Sequence, residues 1–148
     1  MKKFEFSLSH VLDYRERLLD EEKGALQRIK AERDEIAENI RRLEDSFAQV
    51  SLKMVKAQTA GTTILEIKKI NAQLENIRMQ LDQQRKELQR AELKVEHQMK
   101  AVIAANQEVS KLDKLQERQL EEYRHEVNKA EEDRVDEFVA QTLARSAG

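Results

Sequence analysis

From Thr63 to about Ala144 the chain holds neither a proline nor a glycine. The run is dense in Leu, Glu, Gln, Lys, Arg and Ala. These residues lose little on entering a helix, and nothing inside the run would stop one. Its apolar residues recur at alternating steps of three and four. They are Ile67, Ile70, Leu74, Ile77, Leu81, then Leu88, Ala91, Val95, and further on Val102, Ala105, Val109 and Leu112. That period is the seam of a coiled coil, not the broader stripe of a globular helix. One helix of this length would extend roughly 120 Å, so its seam needs a long partner.

The preceding stretch supplies one. Residues 1–6 read as a short lead-in. Ser7 can cap a helix, with Phe6 and Val11 at the two positions of a hydrophobic staple. The stripe then reads Leu8, Leu12, Leu19, Leu26, Ile29, Ile36, Ile40, Leu43, Phe47, Val50 and Met54, with misfits at Arg15, Glu22 and Arg33. Asp13 with Arg17 and Glu38 with Arg42 stand four apart, acid first, each pair contributing about 0.2–0.5 kcal/mol. The pattern stops near Ala57 and Gln58-Thr59-Ala60-Gly61-Thr62 follows. Gly61 suits the left-handed residue that ends a helix, and Thr63 with Glu66 forms a capping box that starts the next. A single helix running through Gly61 would cost only about 1 kcal/mol. The coincidence of a stop signal and a start signal favours a turn.

The predicted fold is therefore all-α: two long helices in one antiparallel coiled-coil hairpin spanning 1–148, the second helix overhanging the first. The helices cover about 7–57 and about 63–144, with the turn at about 58–62. Facing residues then have numbers summing to about 121. Met54 meets Ile67, Phe47 meets Leu74, Leu26 meets Val95 and Leu12 meets Val109. Glu22 approaches Gln98, and Arg33 lies near Gln84 or Leu88. Such polar layers cost stability and fix register.

The first helix runs out first. Leu8 pairs near Leu112–Asp113, which leaves the second helix without a partner beyond about Leu115. In the overhang, 115–144, the seam shifts phase to Leu115, Leu120, Tyr123, Val127, Ala130 and Phe138. From Leu115 onward five Lys/Arg stand against nine Asp/Glu, a net of -4 within a chain of net -2. An acidic helix without a partner, with Leu120, Tyr123, Val127 and Phe138 on or near one face, reads as a surface for another protein. Tyr14, an amphipathic aromatic on the flank of the hairpin, suits an interface as well.

Composition excludes other classes. Aromatics make up 4% and charged residues 38%, too few and too many for a compact core. The absence of cysteine removes disulfides and thiolate metal sites. The slight acidic balance argues against nucleic acid as a partner. No apolar run approaches the roughly 18 residues of a membrane span, and Met1-Lys2-Lys3-Phe4-Glu5 lacks the apolar core of a signal peptide. A cytoplasmic protein without direct membrane insertion is expected. His10, His97 and His125 lack metal-ligand spacing. Glu131-Glu132-Asp133 with Asp136-Glu137 lacks the loop that hard cations use. Two packed helices offer no concave pocket. The expectation is a non-enzyme with no catalytic residue, no cofactor and no metal.

Three stretches resemble the FliJ family, the flagellar type III export component. The opening Phe6-Ser7-Leu8-Ser9-His10-Val11-Leu12-Asp13-Tyr14-Arg15-Glu16 is similar to that family's start, an aromatic and Leu, then Val-Leu, then Arg-Glu. Leu112-Asp113-Lys114-Leu115-Gln116-Glu117-Arg118 resembles its Leu-Glu-Lys-Leu-Lys-Glu-Arg segment, with Asp113 where Glu is commoner. Glu131 to Glu137 resembles its late acidic motif ending in Asp-Glu. The resemblance implies a fold like the two-helix coiled coil of the rotary ATPase gamma subunit. It implies a stalk in the centre of a FliI-like hexameric export ATPase, coupled to an FlhA-like export gate protein; some members bind export chaperones. It implies a position at the cytoplasmic face of the inner membrane, held through partners.

Carried over by position, the ATPase-facing end would comprise Leu8, Leu12, Tyr14, Leu120, Tyr123, Val127, Asp136, Glu137 and Phe138. The gate-facing end would comprise the outer faces of 40–54 and 67–81. Two other readings fit the same residues: the equivalent stalk of a virulence type III secretion system, and a structural homodimeric scaffold whose overhangs pair with each other.

Overall fold

The computed structural model describes residues 2–147. They form two helices, α1 over Ser9–Ala60 and α2 over Ile64–Ala147, packed as an antiparallel coiled-coil hairpin. Gly61 carries a positive φ of 85°, the backbone state that ends α1. The next helix starts on Thr63, whose hydroxyl accepts from the Glu66 N–H at 3.2 Å and whose carbonyl accepts from Ile67. Stop and start thus use the residues the sequence marks for them.

Contacts divide the chain into two units. The first unites residues up to Asp20 with those from Ile103 onward. Its buried apolar residues are Phe6, Leu12, Leu19 and Val109. The second is Glu21–Val102. There Ile40, Ile70, Leu81, Ala91 and Val95 are buried, and Ile70 is only 1% exposed. Apart from Phe6, each of these stands on one of the two predicted seams. The remaining apolar seam positions from Leu8 to Leu112 are half-buried, as expected where two helices have one shared face.

The polar interruptions behave differently from one another. Gln98 donates its side-chain amide to the Glu22 carbonyl at 3.0 Å and also to the Glu22 carboxylate. That is the predicted layer, and it fixes register by satisfying both groups. Arg33 instead turns to its neighbour Asp34 at 2.9 Å. Gln84 shares a shallow groove with Asn39, Arg42 and Leu43. Its amide donates to Glu87 at 3.3 Å, while its buried oxygen lacks a partner among the described residues. On the flanks Glu38 pairs with Arg41 at 2.9 Å and Arg42 at 4.0 Å. Arg85 reaches Glu44 across the hairpin at 3.5 Å, and Arg78 lies 5.4 Å over the Phe47 ring. These exposed contacts add about 0–1 kcal/mol each.

The start of α1 corrects one expectation. The first helical hydrogen bond runs from the Leu12 N–H to the Leu8 carbonyl, so Leu8, not Ser7, holds the cap position. With Leu8 at the cap, the staple positions fall on Ser7 and Leu12 and no longer on Phe6 and Val11.

The two described glycines make opposite predictions. A methyl group at Gly24, inside α1, would meet only the Arg28 guanidinium at 3.6 Å, an ordinary contact. Gly24→Ala is expected to stabilise the chain by about 0.5–1 kcal/mol. Gly61→Ala has nothing within 4 Å to strike, yet it forces a Cβ into the left-handed region and should cost about 1 kcal/mol. Thermal unfolding of the two variants should therefore shift in opposite directions.

Candidate partner-binding surface

The described residues before α1 are more than a lead-in. They alternate outward and inward: Lys3, Glu5 and Ser7 are exposed, whereas Phe4 and Leu8 are half-buried and Phe6 is 6% exposed. Up to Phe6 that period of two fits an extended segment, whose side chains point to opposite sides in turn; Ser7 and Leu8 then make the turn into α1, where the Ser9 N–H donates to the Phe6 carbonyl at 3.1 Å. The segment lies along α2. The Phe4 and Tyr123 rings meet at 5.5 Å with a 45° tilt, a favourable aromatic arrangement. The Tyr123 hydroxyl donates to the Lys2 carbonyl. The expectation that nothing intramolecular reaches beyond Leu115 is corrected here: α1 ends, and the extended strap continues to Tyr123 in its place.

Past that point the cover stops. Every residue from Asn128 to Ala147 is exposed. Side chains that a helix would ordinarily bury are in the open: Val135 at 59%, Phe138 at 69%, Val139 at 48% and Leu143 at 63%. Their spacing, i, i+3, i+4 and i+8, puts them on one face of α2. Residues 131–137 supply five carboxylates to the same segment. An apolar strip beside a dense negative charge fits a partner with an apolar groove and a basic rim.

The predicted site residues fall into three groups. At about 100° per residue, Leu120, Val127 and Phe138 lie within roughly 20° of one line along α2. Leu120 and Val127 are half-buried and Phe138 is open. Tyr123 stands to one side, under the strap. Asp136 and Glu137 are exposed, but they stand about 200° and 100° round from Phe138. A flat partner cannot meet Asp136 and Phe138 together; one that wraps the helix can. On α1, Tyr14 is 53% exposed and Leu8 half-buried, while Leu12 is 7% exposed and committed to the hairpin core. At the other end, Leu52 and Met79 are the large apolar residues that stand open on the outer faces of 40–54 and 67–81.

Sequence reasoning missed Val135, Val139 and Leu143. The heptad count that locates a seam passes over them, although their helical spacing was there to read. It also missed the strap, which the alternation Phe4-Glu5-Phe6 announces. Among the described residues no three His, Cys, Asp or Glu gather as a metal site. His10, His97 and His125 are each exposed.

A family model described as the flagellar FliJ protein matches residues 4–148. Neither a curated protein nor a solved structure matches the chain.

Proposed function

The chain belongs to the FliJ family of flagellar proteins, and from that premise we propose that the bare acidic end of α2 is the surface the export ATPase grips. FliJ proteins interact with the FliI ATPase and the FlhA export gate. The chain is accordingly a non-enzymatic stalk of flagellar export, in which binding and stiffness are the function. The flagellar match sets this reading apart from the virulence-secretion stalk. No helix in the described residues is long and apolar enough to cross a membrane. The family role places the protein in the cytoplasm, at the membrane through its partners.

One observation carries the proposal. Twenty consecutive residues of α2, Asn128 to Ala147, expose an apolar strip that no other described residue covers. Folding leaves such a strip to a partner, since a lone amphipathic helix gains nothing by facing water. The mechanism is mechanical. A stiff hairpin held at one end by a ring can favour one arrangement of the ring subunits over others. It passes that bias to the gate only if its contacts differ between their states. Tyr14, Leu120 and Val127 extend the gripped surface toward the hairpin body.

The test is Val127→Asp combined with Phe138→Asp. Both side chains are at least partly open, so helicity by circular dichroism should be unchanged. Capture by the export ATPase should fall about tenfold or more, the loss expected when an interface anchor is removed. Undiminished capture together with normal motility would overturn the proposal.

A further inference from the structure

We infer that the turn end of the hairpin is built to dock, end on, into the headgroup layer of an anionic lipid bilayer. This goes beyond the ATPase reading, which concerns Asn128–Ala147, and adds a direct headgroup contact to the membrane position that partners provide.

Charge is segregated along the sequence. Between Asp45 and Glu75 the only charged residues are Lys53, Lys56, Lys68, Lys69 and Glu66, a net of +3 in a chain of net -2. All four lysines are exposed. Between Lys56 and Glu66 no residue is charged, and this uncharged stretch contains the whole turn. Its bulky members point outward: Ile64 is 74% exposed and Leu65 63%, with Val55 at 57% just behind them. The molecule thus ends in an uncharged, partly apolar cap with cations set back from it.

The distances suit a bilayer. Lys56 lies four residues before the end of α1 and Lys68 four residues after the start of α2, each about 6 Å behind the turn along its helix. Apolar groups at an interface sit about 5–10 Å into the headgroup and acyl boundary. Lysines one turn back would then reach the lipid phosphates with their flexible stems.

The arrangement of the cations favours a membrane over an acidic protein. Lys56 stands about 200° round α1 from the half-buried Met54, and Lys68 about 200° round α2 from the buried Ile70. Each therefore lies on the back of its helix, away from the shared seam, and the two face opposite sides. A single flat protein surface meets one side of a hairpin, and only a partner that encircles the end would meet both. A bilayer meets the end from every side at once, and a ring of cations matches it.

The experiment is flotation of the full chain with vesicles, either phosphatidylcholine alone or phosphatidylcholine with phosphatidylglycerol at about seven to three. Each lysine near an anionic leaflet contributes roughly a fivefold factor. Binding should be weak on the neutral vesicles, at least about tenfold tighter on the anionic ones, and lost as salt rises. Lys56→Glu with Lys68→Glu should abolish the anionic preference. Leu65→Asp should reduce binding to both vesicle types. All three substitutions are at exposed positions, and circular dichroism confirms the fold. Absence of anionic preference in the wild type would overturn the inference. So would an anionic preference that survives the lysine reversals. Failure to float, with the same lysines required for capture of an acidic protein fragment, would reassign the cap to a protein partner. ATPase capture should be unchanged in every one of these variants, which keeps this test separate from the previous one.

Discussion

Ile70→Ala is expected to destabilise the hairpin by about 2–5 kcal/mol. Ile70 is the most completely buried side chain in the chain's core, at 1% exposure, one turn and a half into α2 from the turn. A two-helix core is one layer thick. Removing three carbons there leaves a gap that no second layer can fill, while the helix backbones resist moving closer. Ile103 makes the control. It is 56% exposed, and Ile103→Ala should change stability by less than about 0.5 kcal/mol. Urea unfolding followed by circular dichroism reads both. The midpoint should drop sharply for Ile70→Ala with little change in slope, and stay in place for Ile103→Ala. Equal shifts would mean that the seam is not what holds the hairpin closed.

Phe6→Ala should cost about 3 kcal/mol, the lower end of the range for a buried phenylalanine. The lower end applies because the strap is extended and can adjust more easily than a helix. The variant should have a local consequence as well. Phe6 is the buried residue of the strap, and with it gone Phe4 and the Lys2 carbonyl have little to hold them against Tyr123. The chain has no tryptophan and only two tyrosines, so tyrosine fluorescence reports the change directly. Tyr14 is already 53% exposed; the shift should come from Tyr123. Trypsin should cleave after Lys2 and Lys3 sooner in the variant. An unaltered Tyr123 signal would show that the strap is anchored by something other than Phe6.

The sequence carried most of this architecture because a coiled coil is written in a simple code. The step of three and four located both seams, and Leu12, Leu19, Ile40, Ile70, Leu81, Ala91, Val95 and Val109 are buried where the seams put them. The turn was legible because Gly61 and Thr63 do two incompatible things side by side: one ends a helix, the other begins one. The Glu22–Gln98 layer followed from counting alone.

What escaped was what the helical code does not express. Phe4 and Phe6 follow a period of two within a stretch too short to weigh against the long helices. The strap's target depends on where α1 ends and how far α2 continues. Arg33 was placed near Gln84 or Leu88, which leaves open the charge its guanidinium takes, the neighbouring Asp34 carboxylate. A long flexible side chain settles on the nearest charge, and heptad position does not specify which that is. On the tail, Phe138 was found because it prolongs the shifted seam, whereas Val135, Val139 and Leu143 form a strip that no seam uses. Such strips become visible only once burial shows which apolar residues the molecule leaves uncovered.

The central claim is that the chain closes its seam on itself and leaves the end of α2 for a partner. Amide hydrogen exchange, compared between the free chain and the chain bound to the export ATPase, tests it most directly. In the free chain amides around Ile70, Leu81, Ala91 and Val95 should exchange slowly. Those from Asn128 to Ala147 should exchange fast, because a helix of about twenty residues without tertiary packing is only marginally stable in water. On binding, protection should appear over Asn128–Ala147 and leave the amides around Ile70 as they were. Slow exchange throughout the tail of the free chain, or a bound complex in which the tail still exchanges fast, would contradict the account.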